Sequence, residues 1–301
     1  MNNVRVDPRR LQMLLELSRL GSMREVAESL QVTTSTVSQQ IAALAHEVHA
    51  PLLEPVGRRV RLTPAGRRLA DHAVTILAAV EAARLDLDPG AEPAGLVRVA
   101  SFSTAVRRAL LPAVRALAEK HPQVSVQILE HEPPEAFAML AGDDIDLALT
   151  YDYNLAPAAF DRSLETRPIG TTEWALGVPT TQGRGRGTAA EVFARFADHD
   201  WIVASRNSAD GQAVRTLASM AGFRPRITHQ ADSLELVQDL VVAGLGVGLL
   251  PADQPTRRGV ALRRLRDPEV RLRGYAVTRR GRATWPPLAA LLGVLADTTL
   301  G

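Results

Sequence analysis

Along the first seventy residues the apolar positions recur at helical spacing in three short runs. Leu11, Leu14, Leu15 and Leu17 follow Asp7-Pro8, with Pro8 placed where a missing N–H costs nothing, and Gly21 ends the run. Ser22 with Glu25 three residues on reads as a capping box that opens a second helix, packed through Val26, Ala27 and Leu30. Thr33 then caps a third helix, in which Val37, Ile41, Leu44 and Val48 recur at spacings of four, three and four and make one buried stripe. The opposite face carries Thr34, Ser35, Ser38, Gln39 and Ala42. A face of small hydroxyls and amides is a poor salt-bridge surface, but it can hydrogen-bond base edges in a DNA major groove. Two short helices, the second presenting such residues, predict a helix-turn-helix.

The period then shortens. Residues 52–53 and 60–62 read as the strands of a hairpin turning at Val56-Gly57. Thr63-Pro64 caps a long helix in which Leu69, Ala73, Ile76, Val80, Ala83 and Leu87 alternate steps of four and three, a heptad seam. The seam predicts pairing with a second copy, which would supply the two-fold symmetry of a palindromic DNA site. The alternative is packing along the chain's own downstream domain. After a Pro- and Gly-rich hinge at 88–95, strands alternate with helices. Strands are expected at 96–102, 124–130 and 145–151 with helices at 103–120 and 134–141. A second set places strands at 172–179, 200–205, 226–231 and 246–251 and helices at 189–197, 211–221 and 233–243. A late strand at 271–279 and a helix at 287–297 close the chain. Two such sets predict an α+β multidomain chain whose second part has two lobes, with a cleft between them.

Charge sharpens the first part of this picture. The chain's net charge is +2, yet residues 1–70 hold ten arginines against six acids, +4, which leaves −2 for the rest. Arg58, Arg59, Arg61, Arg67 and Arg68 put five cations into eleven residues beside the helix-turn-helix. Such a cluster suits phosphate contact or insertion of an arginine into a narrow minor groove. The absence of cysteine excludes disulfides and thiolate metal sites. A polar start and no long apolar run point to a cytoplasmic protein with no membrane partner.

Other motifs carry less. Gly244, Gly246 and Gly248 are spaced unlike a dinucleotide fingerprint and precede a strand, so they read as a sharp helix-to-strand turn. The Gly-Arg run at 183–187 reads as an exposed loop. His46 and His49 have no third ligand nearby, and Asp143 and Asp144 read as a solvated turn before a strand. No serine sits in a nucleophile elbow, so neither an enzyme nor a cofactor or metal is expected.

These residues resemble a known family. A Gly-Ser pair before an Ala-x-x-Leu helix, the run VSQQI and the segment GRRVRLTPAG are similar to the winged helix-turn-helix of LysR-type transcriptional regulators. GLVRVA, LLPAVRALAEKHPQVSVQI, DIDLAL and LVVAGLGVGLLP resemble, in order and spacing, that family's periplasmic-binding-protein-like (type II) effector domain. The resemblance implies a winged helix-turn-helix at 1–63, a linker and dimerisation helix at 64–88, and effector lobe I at 95–162 and 268–301. Lobe II falls at 163–267. It implies DNA contacts at Thr34, Ser35, Ser38, Gln39, Arg58 and Arg59, and effector contacts at Ser101, Ser103, Thr104, Thr150, Ser205 and Asn207. The implied partners are double-stranded promoter DNA, a small-molecule effector and a homodimer or homotetramer partner. Strand C-termini and helix N-termini are where free amides bind anions, and Arg206 beside them suits a carboxylate effector or, equally, a surface salt bridge. The chain departs from the family's usual pattern at Thr34, where glutamine is common, and at Gln39, where arginine is frequent. His49 stands for a usual glycine, Leu53 for an aromatic and Pro55 for an arginine. A competing expectation is a cytosolic small-molecule-binding protein or enzyme with a basic N-terminal extension.

Overall fold

The computed structural model describes residues 6–56, 59–88, 91–182, 187–206 and 208–297. The head begins with α1 (Pro8–Leu20), capped by the Asp7 carboxylate, which accepts from the Arg9 N–H at 2.8 Å, and ended by Gly21 in the left-handed region at φ +68°. α2 (Met23–Ser29) and α3 (Thr34–Glu47) follow. Leu11, Leu14, Leu17, Val26, Ala27, Val37, Ile41 and Leu44 form the head's buried core. The expected capping box on α2 does not form. Ser22 occupies the N-cap, but its side chain makes no cap hydrogen bond, leaving the terminus to backbone bonds such as Val26 N–H to the Ser22 carbonyl. The cap on α3 does form, with Thr33 Oγ1 accepting from the Thr36 N–H at 3.1 Å.

β1 (Leu53–Val56) and β2 (Arg59–Leu62) pair antiparallel, Leu53 opposite Leu62 and Val56 opposite Arg59. Leu52 precedes the hairpin and is buried in the head core. α4 (Pro64–Leu87) starts on the Thr63 cap, which accepts from the Gly66 N–H at 3.0 Å. Gly66 is required there, because a Cβ would lie 2.2 Å from the Leu52 carbonyl oxygen.

Ala73 of the expected α4 seam is buried, whereas Ile76, Val80 and Leu87 are exposed in the single chain, Leu87 at 85%. Ala70, Val74 and Ala78, off that seam, are buried as well. α4 therefore has two apolar sides. One is used within its own chain, where α4 packs against α1, against a 3₁₀ turn at Arg282–Thr284 and against α11 (Pro286–Ala296). The other is left uncovered. The two expectations for this helix, pairing with a copy and packing on its own chain, are thus not exclusive.

The remaining elements share a mixed nine-stranded sheet among the described residues, in the order β4-β3-β5-β11-β6-β9-β7-β8 with β10 beside β6. On one side of the sheet path are β3 (Gly95–Ser101), β4 (Val124–Glu130), β5 (Leu147–Tyr153) and β11 (Val270–Arg279). On the other are β7 (Asp200–Val203), β8 (Arg226–Gln230), β9 (Val247–Pro251) and β10 (Val260–Arg264). β6 (Leu164–Pro179) joins them: residues 164–174 pair with β11, and 174–179 pair with β9 and β10. Only 172–179 of this strand, and none of β10, is expected from the alternation. The first half of β6 carries Glu165, Arg167, Thr171 and Glu173, so it lacks an apolar signal of its own and is held by β11.

Helices cover both faces of each half. α6 (Leu111–Lys120) and α11 pack on Val97, Val99 and Leu149, and α7 (Pro133–Ala141) packs on Ala100, Ala148 and Val277. In the second half α8 (Ala189–Ala194) and α9 (Ser208–Met220) cover Trp174, Trp201 and Val247, while α10 (Leu234–Val242) covers Ile202 and Leu250. The helix expected at 103–120 is interrupted. α5 (Ser103–Ala105) runs through a π-turn at Val106–Leu110 before α6. Gly244, at φ +73°, turns the chain after α10, and a Cβ at Gly246 would lie 2.8 Å from the Asp200 carbonyl oxygen. The glycine run thus packs a helix-to-strand turn against β7.

Candidate nucleic-acid interface and interlobe cleft

On α3, Val37, Ile41 and Leu44 are fully buried while Thr34, Ser35, Ser38, Gln39 and Ala42 are exposed. The outward face carries no charge. The neighbouring Gln40 turns inward and accepts from Arg10 Nε at 2.8 Å, and Arg10 also pairs with Glu47. This clasp ties α1 to α3 and separates two adjacent glutamines into a structural one and a surface one. The Ser35 hydroxyl shares a 2.8 Å hydrogen bond with Thr33 Oγ1, so part of its capacity is spent on the cap.

Several cations of the head are engaged. Arg61 forms an ion pair with Glu54 across the hairpin at 2.7 Å, and Arg67 donates to the Leu62 carbonyl at 2.8 Å. Arg61 is two-thirds exposed, so its pair is cheap to break in favour of a phosphate. Arg58 lies outside the described residues, and of Arg59 only the backbone, in β2, is described.

The effector positions are not all brought to one place. Ser103 and Thr104, half-buried at the start of α5, line a cavity of about 540 Å³. Its other wall comes from the second lobe, through Leu234, Glu235 and Gln238 of α10 and the segment 254–257. Ser101 and Thr150 sit fully buried in β3 and β5. Ser101 donates to the Phe102 carbonyl at 3.3 Å, whereas Thr150 Oγ1 has no hydrogen-bond partner among the described residues. Ser205 is exposed in the second lobe, and Asn207 lies outside the described residues.

The loop at Ser205 does bind a carboxylate, but one of the chain's own. Asp232 Oδ1 accepts from the backbone N–H groups of Ser205 and Arg206 at 2.8 and 3.3 Å, and its other oxygen takes the Ser205 hydroxyl and Arg206 Nε. Burial raises the Asp232 pKa, but these bonds outweigh it and hold the group below the ordinary value. Arg206 further reaches Glu135 of the first lobe at 3.4 Å. Of the two readings of Arg206, effector carboxylate or salt bridge, the salt bridge is the one formed: two acids already neutralise it.

Acidic side chains also collect on the inner side. Glu132, at the N-cap of α7, is 7% exposed and accepts from the Tyr151 hydroxyl at 3.0 Å; burial, only partly offset by that bond, raises its pKa. Asp210 in the first turn of α9 accepts from the Ala204 N–H at 2.8 Å, and burial pushes its pKa up to about 6. Asp143 and its neighbourhood differ from expectation too. The expected turn does precede β5 and Asp144 is exposed in it, but Asp143 pairs with Arg279 at 2.7 Å, and Asp146 is buried between Arg98 and Arg282.

Two further ion pairs join the lobes, Arg107 with Glu235 and Arg108 with Asp253, each at 2.5 Å. Their members, like Glu132 and Asp232, carry no local motif, so sequence reading misses them. The only available signal is charge at positions the strand-helix pattern places near strand ends.

Known proteins bear on both surfaces. The model of the "Bacterial regulatory helix-turn-helix protein, lysR family" matches residues 8–67, and that of the "LysR substrate binding domain" matches residues 90–299. The transcriptional dual regulator GltC of Bacillus subtilis is 30% identical over 254 residues, 79% of this chain and 81% of that protein. The regulator CysB of Haemophilus influenzae is 25% identical over 232 residues, 76% of this chain and 70% of that protein. Among solved structures, a full-length OxyR variant from Pseudomonas aeruginosa has a TM-score of 0.72 at 19% identity, covering 97% of this chain and 94% of that one. CbnR complexed with its target DNA has a TM-score of 0.54 at 20% identity, covering 97% and 99%. With a helix-turn-helix head and an effector body that together span nearly its whole length, this chain belongs to the LysR family of transcriptional regulators.

Proposed function

We propose that Thr34, Ser35, Ser38 and Gln39 read base edges from α3 while Arg58 and Arg59 hold the adjacent backbone or minor groove. One observation carries this reading: the exposed face of α3 is uncharged and polar, while the side opposite is fully buried and fixes its direction. As a LysR-type regulator the protein binds promoter DNA and a small-molecule effector, and it assembles with copies of itself. The working division is a head at 1–63, a linker helix at 64–88, lobe I at 95–162 and 268–301, and lobe II at 163–267. The exposed Ile76, Val80 and Leu87 of α4 support pairing of that helix with its copy.

The effector enters between the lobes, where Ser103 and Thr104 face α10 across the 540 Å³ cavity. Ser101, Thr150, Ser205 and Asn207 are the further effector contacts in this reading; Ser101 ends β3 and Thr150 lies within β5, and neither they nor Ser205 line that cavity. A ligand that binds the two lobe arrangements unequally shifts the equilibrium between them, which is the requirement for control at a distance. The action is regulatory rather than enzymatic, and a cytoplasmic setting suits a DNA-binding chain. Among the described residues no helix is long and apolar enough to cross a membrane.

The test is a shift assay on the full-length chain with promoter and random DNA across a salt series. Arg58→Ala weakens binding to both DNAs and lowers the salt slope by about 1, whereas Gln39→Ala chiefly relaxes base preference. Binding of the promoter that is unchanged in the combined Ser38→Ala, Gln39→Ala, Arg58→Ala protein refutes the assignment.

A further inference from the structure

A second cavity, larger than the one between the lobes, opens between α4 and lobe I and measures about 710 Å³. That volume suits a molecule of one or two rings. Its apolar wall is built by Phe137 of α7, Phe160 from the segment leading into β6, and Leu164 at the start of that strand. The two phenylalanine rings stand edge to face with centroids 5.9 Å apart, and both are only half-buried, so aromatic surface faces the opening.

α4 supplies the other wall through Asp71, His72 and Thr75. The helix is fastened to lobe I at this place. Arg279 pairs with Asp71 at 2.6 Å, and the Thr75 hydroxyl donates to the Arg280 carbonyl at 3.2 Å. Gly281, at φ +77°, permits the approach, since a Cβ there would lie 2.4 Å from Thr75 Oγ1.

The charges around the opening are unequal in what they have left to offer. Arg279 is satisfied by Asp71 and by Asp143 at 2.7 Å. Asp161 accepts from the Ser163 N–H and hydroxyl at 2.7 and 2.6 Å. Arg280 donates through Nε to the Arg162 carbonyl at 3.0 Å and forms no ion pair among the described residues. Of the two arginines that line the cavity, Arg280 is thus the one whose terminal nitrogens form no ion pair among the described residues.

We propose that this cavity is a second ligand site, distinct from the interlobe cleft, and that it takes a small aromatic carboxylate. The ring lies against Phe137 and Phe160, where edge and face contacts favour another aromatic group. The carboxylate pairs with the Arg280 guanidinium. A ligand seated here touches both the helix that leads to the DNA-binding head and the lobe that carries the effector cleft.

Calorimetric titration of the full-length chain with phenylacetate and indole-3-acetate, beside phenylacetamide and indole-3-acetamide, tests the proposal. At least one acid binds saturably with a Kd of about 1 mM or tighter. Its amide binds about tenfold or more weakly, because the charge-assisted pair is lost. Arg280→Gln lowers the acid to the affinity of its amide. Ala159→Trp, at an exposed position on the rim, abolishes binding, and Phe160→Leu weakens acid and amide alike. Thermal melts establish that each variant is folded, and the Arg280 and Phe160 variants carry the test should Ala159→Trp fail to fold. The proposal falls if neither acid saturates, if acid and amide bind equally, or if binding persists in the Arg280 and Phe160 variants. It also falls if Thr104→Trp, which fills the interlobe cavity, removes the binding. A loss of oligomer in Ala159→Trp by light scattering would show that a second copy covers this face, and would overturn it as well.

Discussion

On α3, the four proposed reading side chains come from one run, residues 34–39, and none is charged. Across the interlobe cleft the arrangement is the reverse: the side chains that join the two lobes are charged and paired, and the partners are distant in sequence. Arg206 and Glu135 are 71 positions apart, Arg107 and Glu235 are 128, and Arg108 and Asp253 are 145. A DNA-reading helix needs only to be pointed, because its ligand supplies a regular groove. A cleft that must respond to a small molecule needs two bodies that can part, and opposed charges on its two sides hold them in one arrangement until something competes.

Four experiments would sharpen or break this contrast. The largest effect is expected from Ile41→Asp, which buries an unpaired carboxylate in the head core and costs about 4 kcal/mol or more. DNA binding should vanish while the ligand response of the effector body, followed by its own thermal transition, persists. A simultaneous collapse of both transitions would show that head and body are one cooperative unit through α4.

Next is Asp210. Its folded pKa of about 6 lies above the ordinary 3.8, so the native state holds the proton more tightly than the unfolded chain. The stabilisation is complete below the unfolded value and is lost as pH rises through about 6, a difference of about 3 kcal/mol. Asp210→Asn keeps an acceptor for the Ala204 N–H and removes the titration. Denaturant melts at pH 8 should find the variant more stable than the parent, with the advantage shrinking toward pH 4. An advantage that is constant with pH would contradict the assignment.

A smaller effect belongs to the reading face. Gln39→Ala should cost about 1–2 kcal/mol on the promoter and much less on random DNA. Equal losses on both, measured by titration at fixed salt, would make Gln39 a backbone contact. The smallest concerns the latch. Glu235 is held to about 2 chiefly by its hydrogen bond from Arg107, yet both groups are roughly half exposed, so Glu235→Gln should cost less than about 1 kcal/mol of stability. Its mark should appear instead in small-angle scattering, as more open lobes. Scattering identical to the parent would mean that the other two pairs suffice.

Local pattern alone located the head. A stripe with Val37, Ile41 and Leu44 at helical spacing can be buried in only one way, and the Thr33 cap and Gly21 stop are short-range features. The alternation of strands and helices likewise announced two lobes. It did not announce β10 or the first half of β6, whose side chains are polar and whose place is set by pairing with β6 and β11. Ser22 shows the opposite failure: the capping-box residues are present, and the side-chain bond is not made.

For the effector cleft the sequence placed Ser101 at the end of β3 and Ser205 just past β7, because an apolar run stops there, but not Thr150, which lies inside β5 as it runs on to Tyr153. Only the tertiary structure decided what they meet. Asp232 fills the amides at Ser205, and Arg206 is spent on Asp232 and Glu135, because folding brings an acid to a cation and nothing in either local sequence records its partner. Helical period and caps act over a few residues and are legible in order. Electrostatic pairing acts through space, and its outcome exists only once the lobes have packed.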